Sequence, residues 1–412
     1  MPEWYHPIMV RRPLLASILL VSALLAALAV VGTAAAPPRV VAVGDVHGAL
    51  TEFVTVLQRT GLVDGKRRWT GGTATLVQIG DIVDRGARVR ETLDFAMDLE
   101  KQAGKTGGAF VPLLGNHEAM NAMGDLRYVT PQIYRTFATD RSEEIRAKAF
   151  QEYIEFLSAH VGHVHSLLVP ADEATRKKWM DEHPLGFFEY RDALGPNGKY
   201  GRWIRRRPAI VQIGDGLFLH GGLNPALPFE SVAALDAQVR SELEGFDQLW
   251  QALSRAKVVW RYMTLREAIA QLEEEQKAMQ AQAKPADPVI AGHIQKLLGY
   301  RQWMVSSADG PLWYRGLTKE AEATLATGLD ALMVRFGARY MVVGHTVMAK
   351  ATVTAWLANR VFAIDTGMLP EEYKGRASAL EIKDGRFTVY YGDGTTQALE
   401  APAPLPVKAP IS

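Results

Sequence analysis

Five short apolar runs, rich in β-branched and aromatic residues, recur along the chain, and each delivers a polar residue at its end. They are Arg39-Val-Val-Ala-Val-Gly-Asp45, Ala74-Thr-Leu-Val-Gln-Ile-Gly-Asp81, Ala109-Phe-Val-Pro-Leu-Leu-Gly-Asn116, Ala209 to Asp215 continuing through Gly216-Leu-Phe-Leu-His220, and Tyr340-Met-Val-Val-Gly-His345. Continuous apolar runs of this length, closed by glycine, predict buried strands. Asp45 and Asp81 lie 36 residues apart, and Asp81 and Asn116 lie 35 apart. Those intervals suit a strand, a crossover helix and a parallel strand, with helices expected over 50–57 and 89–101. The fold class is therefore α/β: a βαβαβ-type double-sheet sandwich flanked by helices. Open sheets of this kind gather their polar strand ends in one place, at the carboxyl edge.

The texture changes over about 130–200 and 225–335. Long helical patterns such as 144–157 and 265–282 predict helical insertions, or a cap, separated by loops such as Lys284-Pro-Ala-Asp-Pro288. From Thr352 to Tyr391 short strands return, with turns at Asp384-Gly385 and Asp393-Gly394, and predict a second sheet packed on the first. Residues 37–395 then form one catalytic domain. Residues 396–412, with four prolines between Ala401 and Ser412, are expected to be a disordered tail.

Between Arg12 and Arg39 lie 26 uncharged residues, and from Leu14 to Val31 only Ser17 and Ser22 interrupt an apolar run. Arg11 and Arg12 flank it, and Ala34-Ala-Ala36 supplies a small-residue cleavage pattern. Residues 1–36 thus predict a signal peptide and an exported, periplasmic or extracytoplasmic protein. The alternative is a membrane anchor through residues 13–36, the one route by which a membrane becomes a partner.

Composition narrows the chemistry. With 412 residues and 48% hydrophobic residues the chain can bury a sizeable core without staples. Lys and Arg total 46 against 45 Asp and Glu, so no general basic field points to nucleic acid. The absence of cysteine removes thiol catalysis, thiolate metal sites and disulfides, leaving oxygen and imidazole as the strong metal ligands.

The strand ends carry that chemistry. They hold Asp45 and His47 in Gly-Asp-Val-His-Gly, Asp81 and Asp84 in Gly-Asp-Ile-Val-Asp-Arg-Gly, Asn116 and His117 in Gly-Asn-His-Glu, His220 in His-Gly-Gly and His345 in Gly-His-Thr. A single such residue is accounted for as a helix N-cap, but five sets together are not. Three carboxylates, four imidazoles and a carboxamide suit two divalent first-row ions: manganese, with iron or zinc as alternatives. A carboxylate bridging two ions about 3.5–4 Å apart is the arrangement used for in-line displacement at phosphorus.

In this order the five motifs resemble the signature of the calcineurin-like metallophosphoesterase superfamily, in its phosphoprotein phosphatase branch. The segments 115–129, beginning Gly-Asn-His-Glu-Ala-Met-Asn, and 310–316, Gly-Pro-Leu-Trp-Tyr-Arg-Gly, are similar to the Shewanella-like protein phosphatases. The resemblance runs from about Val40 to Gly367. It implies that Asp45, His47 and Asp81 hold one metal, that Asp81, Asn116, His220 and His345 hold the other, and that Asp81 bridges. It implies a metal-bridging hydroxide as nucleophile, His117 as general acid and Asp84 as the residue orienting its ring. Arg85 and Arg315, with Asn116, would face the substrate phosphate, Arg315 because it stands 30 residues before His345. Asp125 and Tyr128 are expected to line the pocket.

Other residues rank lower. His160, His163 and His165 read as helix-end or solvent histidines, and His293 as a helical residue that mimics Gly-His. Arg205, Arg206 and Arg207 read as a solvated turn, and Trp203 and Trp313 as core or cap packing. The function expected is a phosphomonoesterase acting on phosphorylated protein, with phosphotyrosine included. A hydrolase of diadenosine polyphosphates, nucleotides or other small phosphate esters is the alternative, since Ile364-Asp-Thr-Gly367 is similar to the symmetrical diadenosine tetraphosphatases. A non-catalytic phosphate-binding module is a third reading, disfavoured because it needs neither His117 nor Asp84.

Overall fold

The computed structural model describes Met1 and residues 39–159, 173–281 and 287–403. Residues 2–38, which hold the expected export segment, His160, His163 and His165, and Lys284-Pro285-Ala286 lie outside the described residues. Among the described residues no helix is long and apolar enough to cross a membrane.

Two sheets form the body. The first has the order β11-β10-β9-β1-β2-β3, built from β1 (Val40–Val43), β2 (Thr75–Gln78), β3 (Ala109–Pro112), β9 (Ser378–Lys383), β10 (Arg386–Tyr391) and β11 (Thr396–Leu399). Its β1, β2 and β3 are parallel and β9 runs antiparallel to β1. The second has the order β4-β5-β6-β8-β7, from β4 (Ile210–Ile213), β5 (Gly216–Leu219), β6 (Tyr340–Val343), β7 (Thr354–Trp356) and β8 (Val361–Ala363), with β5, β6 and β8 parallel.

The pleat sorts each strand between two cores. Val40 and Ala42 of β1 face the second sheet, where they join Val342, Phe218 and Phe362 in one buried cluster, while Val41 and Val43 face the helices. Both faces are covered, which is why these strands read as unbroken apolar runs. Helices α1 (Leu50–Arg59) and α2 (Val89–Lys105) make the predicted crossovers. Along α2, Val89, Leu93, Ala96, Leu99 and Ala103 recur at helical spacing and are buried against the first sheet. The insertions are helical as expected, and their Trp179, Phe188, Tyr190 and Trp260 belong to the same core cluster as Val41 and Leu93.

Two expectations change. The strands after Thr352 do not form a sheet of their own: β7 and β8 extend the second sheet, whereas β9 and β10 add to the first. The Asp384-Gly385 turn does join β9 to β10, with φ of 51° and 73°, the left-handed pair that a two-residue hairpin requires. The expected tail is ordered at its start, because Thr396–Leu399 pairs with β10 as an edge strand. Its pattern of alternating exposure gave no apolar run to read. Residues 404–412 lie outside the described residues.

Candidate active site

All the strand-end residues expected at the site are brought together, and the backbone is bent to do so. His47, Asp81, Asp84, Arg85 and His345 all adopt left-handed φ, between 46° and 70°, a region that non-glycine residues rarely enter. Such strain persists where surrounding contacts fix the loop. Here Glu118 does so: its two carboxylate oxygens accept the N–H groups of Asp81 (2.7 Å), Gly115 (3.0 Å), Ile82 (2.8 Å) and Val83 (3.1 Å). Glu118 is the last residue of the Gly-Asn-His-Glu motif, which by itself does not mark this task. Its position two residues after Asn116, at the start of α3 (Asn116–Met123), was the available signal. Close approach also dictates Gly115, where a Cβ would stand 2.2 Å from Asp81 Oδ1.

Asp81 is central. Its Oδ2 lies 3.6 Å from His47 Nε2, 3.8 Å from His117 Nε2 and 3.3 Å from His220 Nε2. Ligand-type atoms of His47, Asp81 and His117 form one group within 4.8 Å, and those of Asp81, His220 and His345 form a second. Asp81 is common to both. The imidazoles are oriented from behind: His47 Nδ1 meets the Val83 carbonyl at 2.9 Å and His220 Nδ1 meets the Ile79 carbonyl at 2.9 Å, which turns each Nε2 toward Asp81. Asp45 accepts the His345 N–H at 3.1 Å.

These residues fit divalent cations. His220 Nε2 stands 2.7 Å from Asn116 Oδ1 and 3.2 Å from His345 Nδ1, so three atoms of metal-ligating type converge. Nε2 of His345 is buried with no hydrogen-bond partner among the described residues. Burial, then repulsion from the imidazole of His117, pushes the His47 pKa down to about 3, and burial with the charge of His220 takes His345 down to about 2; both are neutral and carry a lone pair. Burial together with the charges of Asp365 and Asp81 raises Asp45 well above the carboxylate range. Burial likewise pushes Asp365 up to about 6. So many buried carboxylates in one place call for positive charge. Asp365 was read only as part of Ile364-Asp-Thr-Gly367.

His117 belongs to the first of these groups, and its ring is held from behind, Nδ1 lying 2.6 Å from Asp84 Oδ2. Burial works to lower its pKa, but the charge of Asp81 and the bond to Asp84 outweigh it and the pKa is raised. Arg85 lies at the same rim. Its guanidinium is 4.6 Å from the Tyr128 ring and 5.4 Å from the Tyr373 ring, and it pairs with Glu372 at 2.8 Å. Arg315 donates to the His345 carbonyl at 2.7 Å and to Thr346 Oγ1 at 3.2 Å, which fixes it beside the His345 ligand.

Tyr128 lines the opening, its ring 4.9 Å from that of His117. Asp125 pairs with Arg127 at 2.5 Å. Tyr373, 6.0 Å from the His47 ring, was missed because nothing in its local sequence marks it. Trp313 comes within 5.9 Å of the His345 ring, whereas Trp203 packs in the cap. His293 lies on the helix Pro288–Leu298, outside both ligand groups. The solvated turn at 205–207 needs correcting: Arg205 forms a two-pronged pair with Asp247 (2.6 and 2.9 Å) and Arg207 bonds Glu100 at 2.8 Å.

A two-sheet α/β sandwich that pools imidazole, carboxylate and carboxamide donors at its strand ends defines a metallophosphoesterase. Over residues 38–349 the chain matches the calcineurin-like phosphoesterases, and it belongs to that family. Shewanella-like protein phosphatase 2 of Arabidopsis thaliana is 29% identical over 222 residues, 51% of this chain and 53% of its own length. Shewanella-like protein phosphatase 1 of Plasmodium berghei is 22% identical over 333 residues, 80% of this chain and 67% of its own length. The chain thus spans about half the length of the Arabidopsis relative, at 53%. Among solved structures, the cold-active protein-tyrosine phosphatase of a psychrophilic Shewanella matches with a TM-score of 0.54 at 23% identity, over 88% of this chain and 81% of that one. At this identity the likeness is one of fold.

Proposed function

We propose that the protein is a phosphomonoesterase that uses two divalent ions, manganese in the first instance, to hydrolyse phosphorylated protein. The observation that carries this reading is Asp81, one carboxylate that faces His47 at 3.6 Å and His220 at 3.3 Å, with the His117–Asp84 pair beside it. Asp45, His47 and Asp81 would hold one ion, and Asp81, Asn116, His220 and His345 the other. When bound, the ions supply Lewis acidity and a water of lowered pKa near neutral pH. Arg85, near His117, and Arg315, beside His345, bind the phosphate oxygens, a task for which the guanidinium fork is suited. His117 Nε2 gives its proton to the leaving oxygen, and Asp84 keeps Nδ1 protonated and the ring in place.

The flanking rings of Tyr128 and Tyr373 support an aryl leaving group, and so phosphotyrosine, because an aromatic side chain seated by His117 would find two π-faces around Arg85. The uncharged apolar stretch over residues 13–36 supports export, with anchoring as the alternative.

The test is turnover by the purified protein, stripped with chelator and reloaded with manganese, on phosphotyrosine and phosphothreonine peptides, diadenosine tetraphosphate and a bis-aryl phosphodiester. Preference for phosphotyrosine peptide by tenfold in kcat/KM, about 1.4 kcal/mol, is expected. Preference for the dinucleotide or the diester would transfer the function to small phosphate esters.

A further inference from the structure

The hydrogen bonds behind Asp84 run further than its contact with His117. Asp84 Oδ1 accepts from Asn121 Nδ2 at 2.9 Å, the same amide nitrogen donates to the His117 carbonyl at 2.9 Å, and Asn121 Oδ1 accepts from the Tyr190 hydroxyl at 2.5 Å. Asp84 and Tyr190 are fully buried and Asn121 is 2% exposed. We infer that Asn121 and Tyr190 are positioning residues for the general acid: Tyr190 fixes the carboxamide, which fixes the Asp84 carboxylate and through it the His117 ring. This inference rests on the phosphoesterase reading given above.

The donor and acceptor bookkeeping permits one arrangement. Asp84 and the His117 carbonyl are both acceptors, so the amide must turn its NH2 toward them, and its oxygen is left needing a donor. The Tyr190 hydroxyl is that donor. Burial and the charge of Asp84 raise the Tyr190 pKa well above its ordinary value, so the phenol keeps its proton. A flipped amide would set Asn121 Oδ1 against Asp84 Oδ1, two acceptors in contact.

Packing alone does not explain the hydroxyl. The Tyr190 ring is held edge-on by Tyr134 at 5.3 Å and Phe137 at 4.9 Å, contacts that phenylalanine would keep. The chain instead places three buried polar groups in series, each of which must be paired. Asp84 also sits at φ 70°, so its carboxylate depends on such anchors to stay aimed at His117.

The test compares phenyl phosphate with 2,4-dinitrophenyl phosphate, whose leaving group departs without a proton, in the manganese-loaded full chain. Asn121→Ala is expected to lower kcat on phenyl phosphate by about 10–100-fold, the usual loss for an outer partner of a catalytic group, and to lower it far less on the dinitrophenyl ester. Tyr190→Phe, which preserves the packing, should widen the same ratio by a smaller factor with metal content unchanged. Equal losses on the two esters, or no loss in either variant, would overturn the inference. A second readout needs no turnover: the His117 Nδ1 proton of 15N-histidine-labelled protein should lie far downfield and shift in Tyr190→Phe, and an unshifted resonance would also overturn it. If the unaltered protein hydrolyses neither ester, the phosphoesterase reading falls, and that resonance alone then decides whether the relay holds the ring.

Discussion

Glu372 holds Arg85 by a 2.8 Å ion pair at the mouth of the site, so the guanidinium proposed to receive the substrate phosphate already has a carboxylate on it. Glu372 is 48% exposed at its side chain and Arg85 20%, and exposed pairs of this kind are worth about 0.2–1 kcal/mol. Substrate phosphate must compete with Glu372 or share Arg85 with it. Glu372→Gln is therefore expected to lower the inhibition constant for inorganic phosphate by about 1.5–5-fold, the same free energy expressed as a ratio. A constant that is unchanged or raised would show that the two do not compete.

Loss of the proposed acid should separate chemistry from binding. His117→Asn should retain the bound ions and phosphate affinity while kcat on a phosphopeptide falls by about 10²–10⁴, the span typical of general acid catalysis. Elemental analysis and steady-state kinetics on the same sample check this. Turnover that survives the change would move the acid to another residue.

Metal removal should be visible in stability. Asp45, Asp81, Asp365 and Glu118 lie buried together at the strand ends, and burial with the charges of the other three raises the pKa of Asp45. A ligand present at a thousand times its dissociation constant stabilises by about 4 kcal/mol, so chelation should lower the melting temperature and added manganese restore it. An identical melting curve with and without chelator would argue against a loaded site.

Much of this site is legible in the amino-acid sequence, for a physical reason. Strands buried on both faces read as unbroken apolar runs, so the polar residue that ends each run stands out, as Asp45, Asp81 and His345 do. What could not be read concerns choices between equivalent partners. The alternation of β9 and β10 shows that they are strands, but either sheet offers a hydrophobic face to receive them. Asn121 and Tyr190 lie 69 residues apart on two helices, and nothing local to either distinguishes a hydrogen-bonded side chain from a packed one. Glu118 and Asp365 were visible as letters of a motif, yet their tasks, gathering four N–H groups and crowding Asp45, exist only once the loops meet.

The glycine of the third strand-end motif should prove as necessary as the ligands. A Cβ at position 115 would fall 2.2 Å from Asp81 Oδ1 and 2.4 Å from the Asp81 nitrogen, and neither atom is free to retreat, because Glu118 holds the loop. Gly115→Ala is expected to displace the shared carboxylate and weaken manganese binding by about 10–100-fold, as loss of support for a metal ligand commonly does. Isothermal titration with manganese checks this, and wild-type affinity would show that the loop yields more readily than its hydrogen bonds suggest.

The cap carries a pH response separate from the chemistry. His183 stacks on Trp179 with ring centroids 4.1 Å apart, and its Nδ1 meets the Trp179 carbonyl at 2.8 Å, beside a cavity of about 220 Å³ lined also by Tyr153, Trp260 and Glu267. Burial lowers its pKa; Glu267 and Glu182 oppose that shift, while Arg146 reinforces it. The unfolded chain then binds a proton at about pH 6.5 that the folded chain takes up only at lower pH. Stability from this site is complete above that value and declines as pH falls from there toward the folded pKa. Urea unfolding followed by tryptophan fluorescence should show a smaller drop in stability between pH 7.5 and 5.5 for His183→Gln than for the unaltered protein. Equal drops for the two proteins would mean that the ring is protonated in the fold as readily as in the open chain, and the stacking on Trp179 would then have to accommodate a cation.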